Sequence, residues 1–183
     1  MELRGYQQGA VAAAREAVRS GARAPLIVAP CGSGKTVIAA EIARHGYERG
    51  IRVLWLTHTQ ELVDQSSRRV PWACVRSIQG LLSGCRPEAD IVILDEAHHF
   101  VSPQWNAVAR DYSQALIVGL TATPERGDGV ALGDLFDHLI VAAQVPDLIK
   151  AGHLVPADVW APTKRLRGLI EPRSAWLEHA KGM

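Results

Sequence analysis

Cysteine is scarce in this chain. Cys31, Cys74 and Cys85 are an odd number with no CxxC spacing, which argues against both a disulfide framework and a structural zinc site. A reducing, cytoplasmic setting is the expectation. No apolar run approaches the roughly 18 residues of a membrane span, so no membrane partner is expected. The opening "MELRGYQQGA" carries charge where a secretory signal needs an apolar core. Neither sign of charge is in excess: Lys and Arg total 20 against 19 for Asp and Glu, so net charge gives no sign of a nucleic-acid binder. Arginine outnumbers lysine, and "TKRLRGLIEPR" is locally basic, a pattern that solvated surface also produces. Internal repeats and low-complexity segments are missing too. What remains is 183 residues, 48% hydrophobic and 21% charged, enough for one soluble domain with a real core.

Short continuous apolar runs alternate with amphipathic ones. Tyr6, Ala10, Ala13, Ala14, Ala17 and Val18 recur at helical spacing and predict a helix ending near Gly21. "PLIVAP", "RVLWLT", "ACVRSI", "DIVILDEA", "ALIVGLTATP" and "HLIVAA" read as strands. "KTVIAAEIARHGYERG", "TQELVDQSSRR" and "SPQWNAVARDY" read as helices, the first closed by Gly50 and the last capped by Ser102. "VPDLIKAGHLVP" has proline at one end of a helix and glycine at the other. Such alternation predicts an α/β fold, a mostly parallel sheet with helices on both faces. From Trp160 the pattern weakens, so residues 1–160 read as one domain and 161–183 as a linker or the start of something further.

Between the first strand and the second helix stands Ala29-Pro30-Cys31-Gly32-Ser33-Gly34-Lys35-Thr36. A strand running through a Gly-rich turn into a helix points consecutive amide N–H groups into one concavity, beside the helix's partial positive charge. Gly32 and Gly34 let that backbone approach a phosphate without an intervening Cβ. Lys35 then reaches the β and γ phosphates as a point charge, and the Thr36 hydroxyl is a ligand for Mg²⁺. The expected nucleotide is ATP. The general P-loop pattern has glycine where Ala29 stands, so this is a variant form. Cys31 reads as a tolerated variable position within the loop.

A phosphate cradle needs an acid on a neighbouring strand. "IVILDEAHHF" supplies Asp95 and Glu96 at the carboxyl end of an apolar run, where ligands sit in open parallel sheets. Asp95 is expected to hold Mg²⁺ and Glu96 to polarise an attacking water. His98 and His99 are adjacent, so their rings are expected to point apart, and they have no Cys or His partners at zinc spacing. For His98 a hydrogen bond at the γ-phosphate edge is the expectation, with plain surface exposure as the alternative.

"APCGSGKT", "DEAHH" and "GLTATPERGDG", in that order, resemble motifs I, II and III of superfamily 2 helicases and translocases of the DEAD/DEAH type. "LRGYQQGA" is similar to the "LRxYQ" entry found in place of a DEAD-box Q motif, which implies Arg4 and Gln7 near the adenine. "THTQELVDQ" resembles motif Ia, with Gln60 where many members carry arginine. "SIQGLL" resembles the short motif whose Ser77 and Gln79 lie near a nucleic-acid backbone, with Thr57 at the same surface. The resemblance covers roughly residues 3–160. It lies nearer to RadD-like, XPB-like and restriction-type translocases than to DEAD-box RNA helicases, which favours DNA over RNA. It implies a RecA-like lobe in which Thr121 and Thr123 of "TAT" link the nucleotide site to the strand-gripping surface. Backbone contacts of that kind are sequence-independent and salt-sensitive.

The resemblance also implies a partner. Such motors sandwich ATP between two lobes, the second bringing an arginine finger in a "QxxGRxxR"-like run, and no such run follows residue 124. An absent finger costs on the order of 10³–10⁵ in rate. The expectation is a first lobe that hydrolyses ATP slowly and separates no strands alone, its second lobe supplied in cis or in trans. Two other classes stay open: a self-sufficient small P-loop kinase with "PERGDG" in its lid, and a non-catalytic nucleic-acid clamp.

Overall fold

Successive residues of a strand face opposite ways, so a strand covered on both sides must be apolar throughout. The computed structural model describes residues 2–99, 107–108, 110–123, 132 and 136–156. In chain order its elements are α1 (Gly5–Arg19), β1 (Pro25–Val28), α2 (Lys35–Tyr47), β2 (Val53–Thr57), α3 (Gln60–Arg69), β3 (Cys74–Ser77), α4 (Ile78–Ser83) and β4 (Ile91–Leu94). A single 3₁₀ turn (Ala97–His99), β5 (Leu116–Thr121), β6 (His138–Val141) and α5 (Val145–Lys150) follow. Every residue of β1, β2 and β4 is buried, and β5 is buried beyond its first residue.

The sheet order is β3-β2-β4-β5-β1-β6, and all the pairings are parallel. The expected parallel sheet is therefore present. The period of two sorts its side chains cleanly. Ile27, Trp55, Ile93, Val118 and Leu120 join Ala10, Ala14 and Ala17 of α1 and Ile38, Ala39 and Ala43 of α2 in one cluster. Leu26, Leu54, Leu56, Val92 and Leu94 join Ile78 and Leu81 of α4, Val108 and Tyr112 in the other. Each leucine, isoleucine or valine among them, once fully buried, contributes about 1.5–3 kcal/mol. The edge strands alternate instead: β6 buries only Ile140, and Leu139 and Val141 stand exposed.

Two aspartates fix where strands begin. Asp137 accepts hydrogen bonds from the backbone N–H groups of Arg23 (2.6 Å) and Ala24 (3.0 Å), pinning the entry to β1 beside β6. Asp90 does the same for β2 through the Arg52 N–H (3.0 Å), and its carboxylate also takes the Arg52 guanidinium at 3.0 and 2.8 Å. That guanidinium lowers the Asp90 pKa to about 2.

Helix ends follow the expected punctuation. α1 stops two residues before Gly21, and α2 stops short of Gly50, whose φ of 74° closes the turn. α5 has Pro146 in its first turn and Gly152 just past its end. The expected helix at "SPQWNAVARDY" is described only at 107–108 and 110–111, which are helical; its Ser102 cap lies outside the described residues. So do "PERGDG" and residues 157–183.

Candidate nucleotide-binding cleft

The loop from Ala29 to Gly34 leaves β1 at the centre-right of the sheet, and Asp95 leaves β4 two strands away, with β5 between them. All three strands end on the same side, so their exits share one cleft. Ala29 N–H donates to the Thr121 carbonyl (3.0 Å), fastening the start of the loop to the end of β5. Inside the loop the Ser33 N–H and hydroxyl both donate to the Pro30 carbonyl, at 3.1 and 2.6 Å. Gly32 and Gly34 take φ values of 77° and 83°, the left-handed region that favours glycine. A Cβ at Gly34 would stand 2.6 Å from Gln7 Nε2. Cys31 is exposed at the tip, and Thr36 is half-buried in the first turn of α2.

Lys35 is buried to 7% exposure, and its ammonium lies 3.6 Å from Glu96 Oε1. Asp95, whose N–H donates to the Leu56 carbonyl (3.0 Å), is half-buried beside them. Burial pushes its carboxyl pKa up to about 6, and the negative charge of Glu96 adds to the rise. Lys35, the Glu96 backbone and the indole of buried Trp55 pull the other way. Two carboxylates thus face one ammonium, and the cleft holds an acid in excess. Glu96 has a φ of 55°, a left-handed value rarely taken without need outside glycine.

His98 is not merely exposed. Its Nδ1 lies 3.0 Å from Thr121 Oγ1 and 3.5 Å from Glu96 Oε2. The Thr121 hydroxyl donates to the Thr123 carbonyl (2.7 Å) and accepts from the Thr123 N–H (3.2 Å). A hydroxyl has one proton and two lone pairs, so His98 Nδ1 must carry a hydrogen and donate it. The tautomer follows from that network. Glu96, His98, Thr121 and Thr123 therefore form one connected run across the ends of β4 and β5.

Thr57 and Ser77 sit side by side as register partners on β2 and β3, both buried. Their hydroxyls are used inside the protein. Thr57 Oγ1 donates to the Thr59 carbonyl (3.0 Å); Ser77 Oγ donates to Gln60 Oε1 (3.0 Å) and caps α4 by accepting from the Gly80 N–H (3.1 Å). Gln79 is exposed beside them on α4.

Arg4 and Gln7 reach the cleft's edge by different routes. The Gln7 amide accepts from the Arg4 N–H (3.0 Å) and donates to the Ser33 carbonyl (3.1 Å), while the Arg4 side chain is directed toward the Tyr6 hydroxyl at 3.4 Å. Sequence reasoning missed Tyr6, which donates to the same Ser33 carbonyl at 2.5 Å. It also missed His153 and Leu154 beyond α5. The His153 ring lies 5.8 Å from that of Tyr6, and Leu154 Cδ2 would lie 3.1 Å from a Cβ at Gly32. The aromatic next to Gln7 was the one available signal; nothing near residue 153 hinted at the loop.

Residues 1–71 and 74–126 match the model of the family described as type III restriction enzyme, res subunit. The chain belongs to that family. A 51.5 kDa protein of a Lactococcus phage is 33% identical over 146 residues, which is 74% of this chain and 32% of that protein. The DNA 3'-5' translocase XPB2 of Sulfurisphaera tokodaii is 29% identical over 151 residues, 70% of this chain and 32% of the translocase. The crystal structure of the Pyrococcus furiosus Hef helicase domain superposes with a TM-score of 0.62 at 28% identity, covering 76% of this chain and 37% of that one. The fold is thus the N-terminal RecA-like lobe of superfamily 2 helicases, of restriction and XPB-like type. The chain spans about a third of the length of these curated relatives.

Proposed function

We propose that this chain binds ATP with Mg²⁺ in the cleft between Gly32–Thr36 and Asp95–Glu96, and grips a nucleic-acid strand, DNA in preference to RNA. The observation that carries the reading is the buried Lys35 ammonium 3.6 Å from Glu96, with Asp95 beside it at the end of β4. The residues suit the group: an acid in excess of the ammonium is relieved by a divalent cation, and the left-handed φ values of Gly32 and Gly34 give the turn a form that other residues rarely adopt. Asp95 and Thr36 would hold the metal, which when bound offsets charge on the phosphates. Lys35 binds the β and γ phosphates, Glu96 orients and polarises the attacking water, and His98 steadies Glu96 from the Thr121 side. Arg4 and Gln7 stand at the adenine end.

The XPB2 relative acts on DNA by its name, which supports the DNA preference. The second RecA-like lobe comes in cis or in trans, in keeping with relatives of which the chain covers about a third. Alone, the 183 residues turn ATP over slowly and separate no strands. Titration with a fluorescent ATP analogue, with Lys35→Ala as control, tests the cleft. ATPase rates with single-stranded DNA, duplex DNA and RNA test the strand. Unchanged affinity in Lys35→Ala contradicts the reading, as does robust unwinding by this chain alone.

A further inference from the structure

The rings of His58 and His99 stack with centroids 4.7 Å apart and an interplanar angle of 24°, and His98 lies 4.0 Å further along against His99. The three rings come from two loops. His58 follows β2 and His99 ends the 3₁₀ turn after β4, and the pairing of Leu56 with Leu94 sets those exits side by side. The rings do not converge as ligands: among the described residues no group of three or more His, Cys, Asp or Glu side chains is arranged to hold a metal ion.

His58 Nδ1 is buried without a hydrogen-bond partner. Burying an unpaired ring nitrogen costs stability that an apolar residue of like size avoids, so the ring is not there for packing alone. On one side of it Thr57 and Gln60 hold the exposed loop toward Ser77. On the other, the His99 N–H donates to the Glu96 carbonyl (2.9 Å), within the turn that keeps Glu96 at its left-handed φ. Residues 58–60 are thus joined to the Glu96 backbone through the His58–His99 ring contact and the His99 N–H.

We propose that the His58–His99 stack is a positioning device coupling the loop after β2 to Glu96, so that a strand bound at that loop alters how the cleft holds nucleotide. This rests on the functional reading above. Coupling between two sites is a ratio of affinities, commonly fivefold or more. The experiment titrates a fluorescent ATP analogue into the chain with and without saturating single-stranded oligodeoxythymidylate. The wild type is expected to change affinity about fivefold or more on adding the strand. In His58→Ala and His99→Ala the ratio falls to within about twofold of one while nucleotide affinity without the strand is kept; His99→Phe, which can still stack, retains the wild-type ratio. If an alanine form does not fold by circular dichroism, His99→Gln, ringless but polar, replaces it. A wild-type ratio in the ringless variants overturns the proposal, and so does a wild type whose affinity ignores the strand. A wild type that binds no nucleotide sinks the functional reading itself, a result distinguishable from the other two.

Discussion

The Lys35 ammonium and Glu96 Oε1 stand 3.6 Å apart although their residues leave the sheet from β1 and β4, which do not touch. The lysine is nearly buried, so its charge is felt at short range with little screening by water. Lys35→Ala removes the positive side chain proposed to meet the phosphates, and nucleotide affinity should fall about tenfold or more, read by fluorescence titration. Glu96→Gln keeps the shape and removes the proposed base. It should leave binding within about threefold and lower hydrolysis by about 10²-fold or more, measured by phosphate release.

Asp95 gives a pH signature. Its folded-state pKa, about 6, lies above the ordinary aspartate value of 3.8, so the folded chain binds that proton more tightly than the unfolded one. The stabilisation is full below about pH 4 and is lost as pH rises through about 6. Without Mg²⁺ or nucleotide, Asp95→Asn should therefore raise the melting temperature by a few degrees at pH 7. At pH 4 the difference should vanish. An equal gain at both values would mean that the asparagine acts by something other than charge.

Two side chains hold one carbonyl of the loop. Tyr6→Phe and Gln7→Ala each remove a hydrogen bond to Ser33 O, worth about 0.5–1.5 kcal/mol. If that bond shapes the loop, nucleotide affinity falls about two- to tenfold in each variant. Their coupling in a double-mutant cycle should be measurable, since both act on the same atom.

Gly119 in β5 faces Phe136. A Cβ there would stand 2.4 Å from two atoms of that ring and 2.9 Å from Leu26 Cδ1. Gly119→Ala should destabilise the fold by about 1–3 kcal/mol in urea unfolding. Pairing it with Phe136→Leu should recover part of the loss.

The strands were legible because parallel strands buried on both faces must be apolar without interruption, as "PLIV" and "IVIL" are. The turn at Gly32 and Gly34 was legible because a Gly-rich run between an apolar strand and a helix marks where the chain leaves the sheet, and the structure has β1, that turn and α2 in that order. α4 and the 3₁₀ turn were not foreseen. Each is short, and each is held by its neighbours more than by its own composition: α4 depends on the Ser77 hydroxyl, which caps it from the end of β3. The contacts of His153 with Tyr6 and of Leu154 with the loop were invisible for another reason. His153 and Leu154 lie more than a hundred residues from Tyr6 and Gly32, and no periodicity records which helix end comes to rest on which turn.

The grip of Tyr6 and Gln7 on Ser33 means that the form of the Gly32–Gly34 turn is not portable. Residues 25–47 grafted into a foreign sheet would bring the glycines and the lysine but leave behind the two anchors that tether the turn. A chimera of that kind should recover its nucleotide only when α1 is transplanted as well.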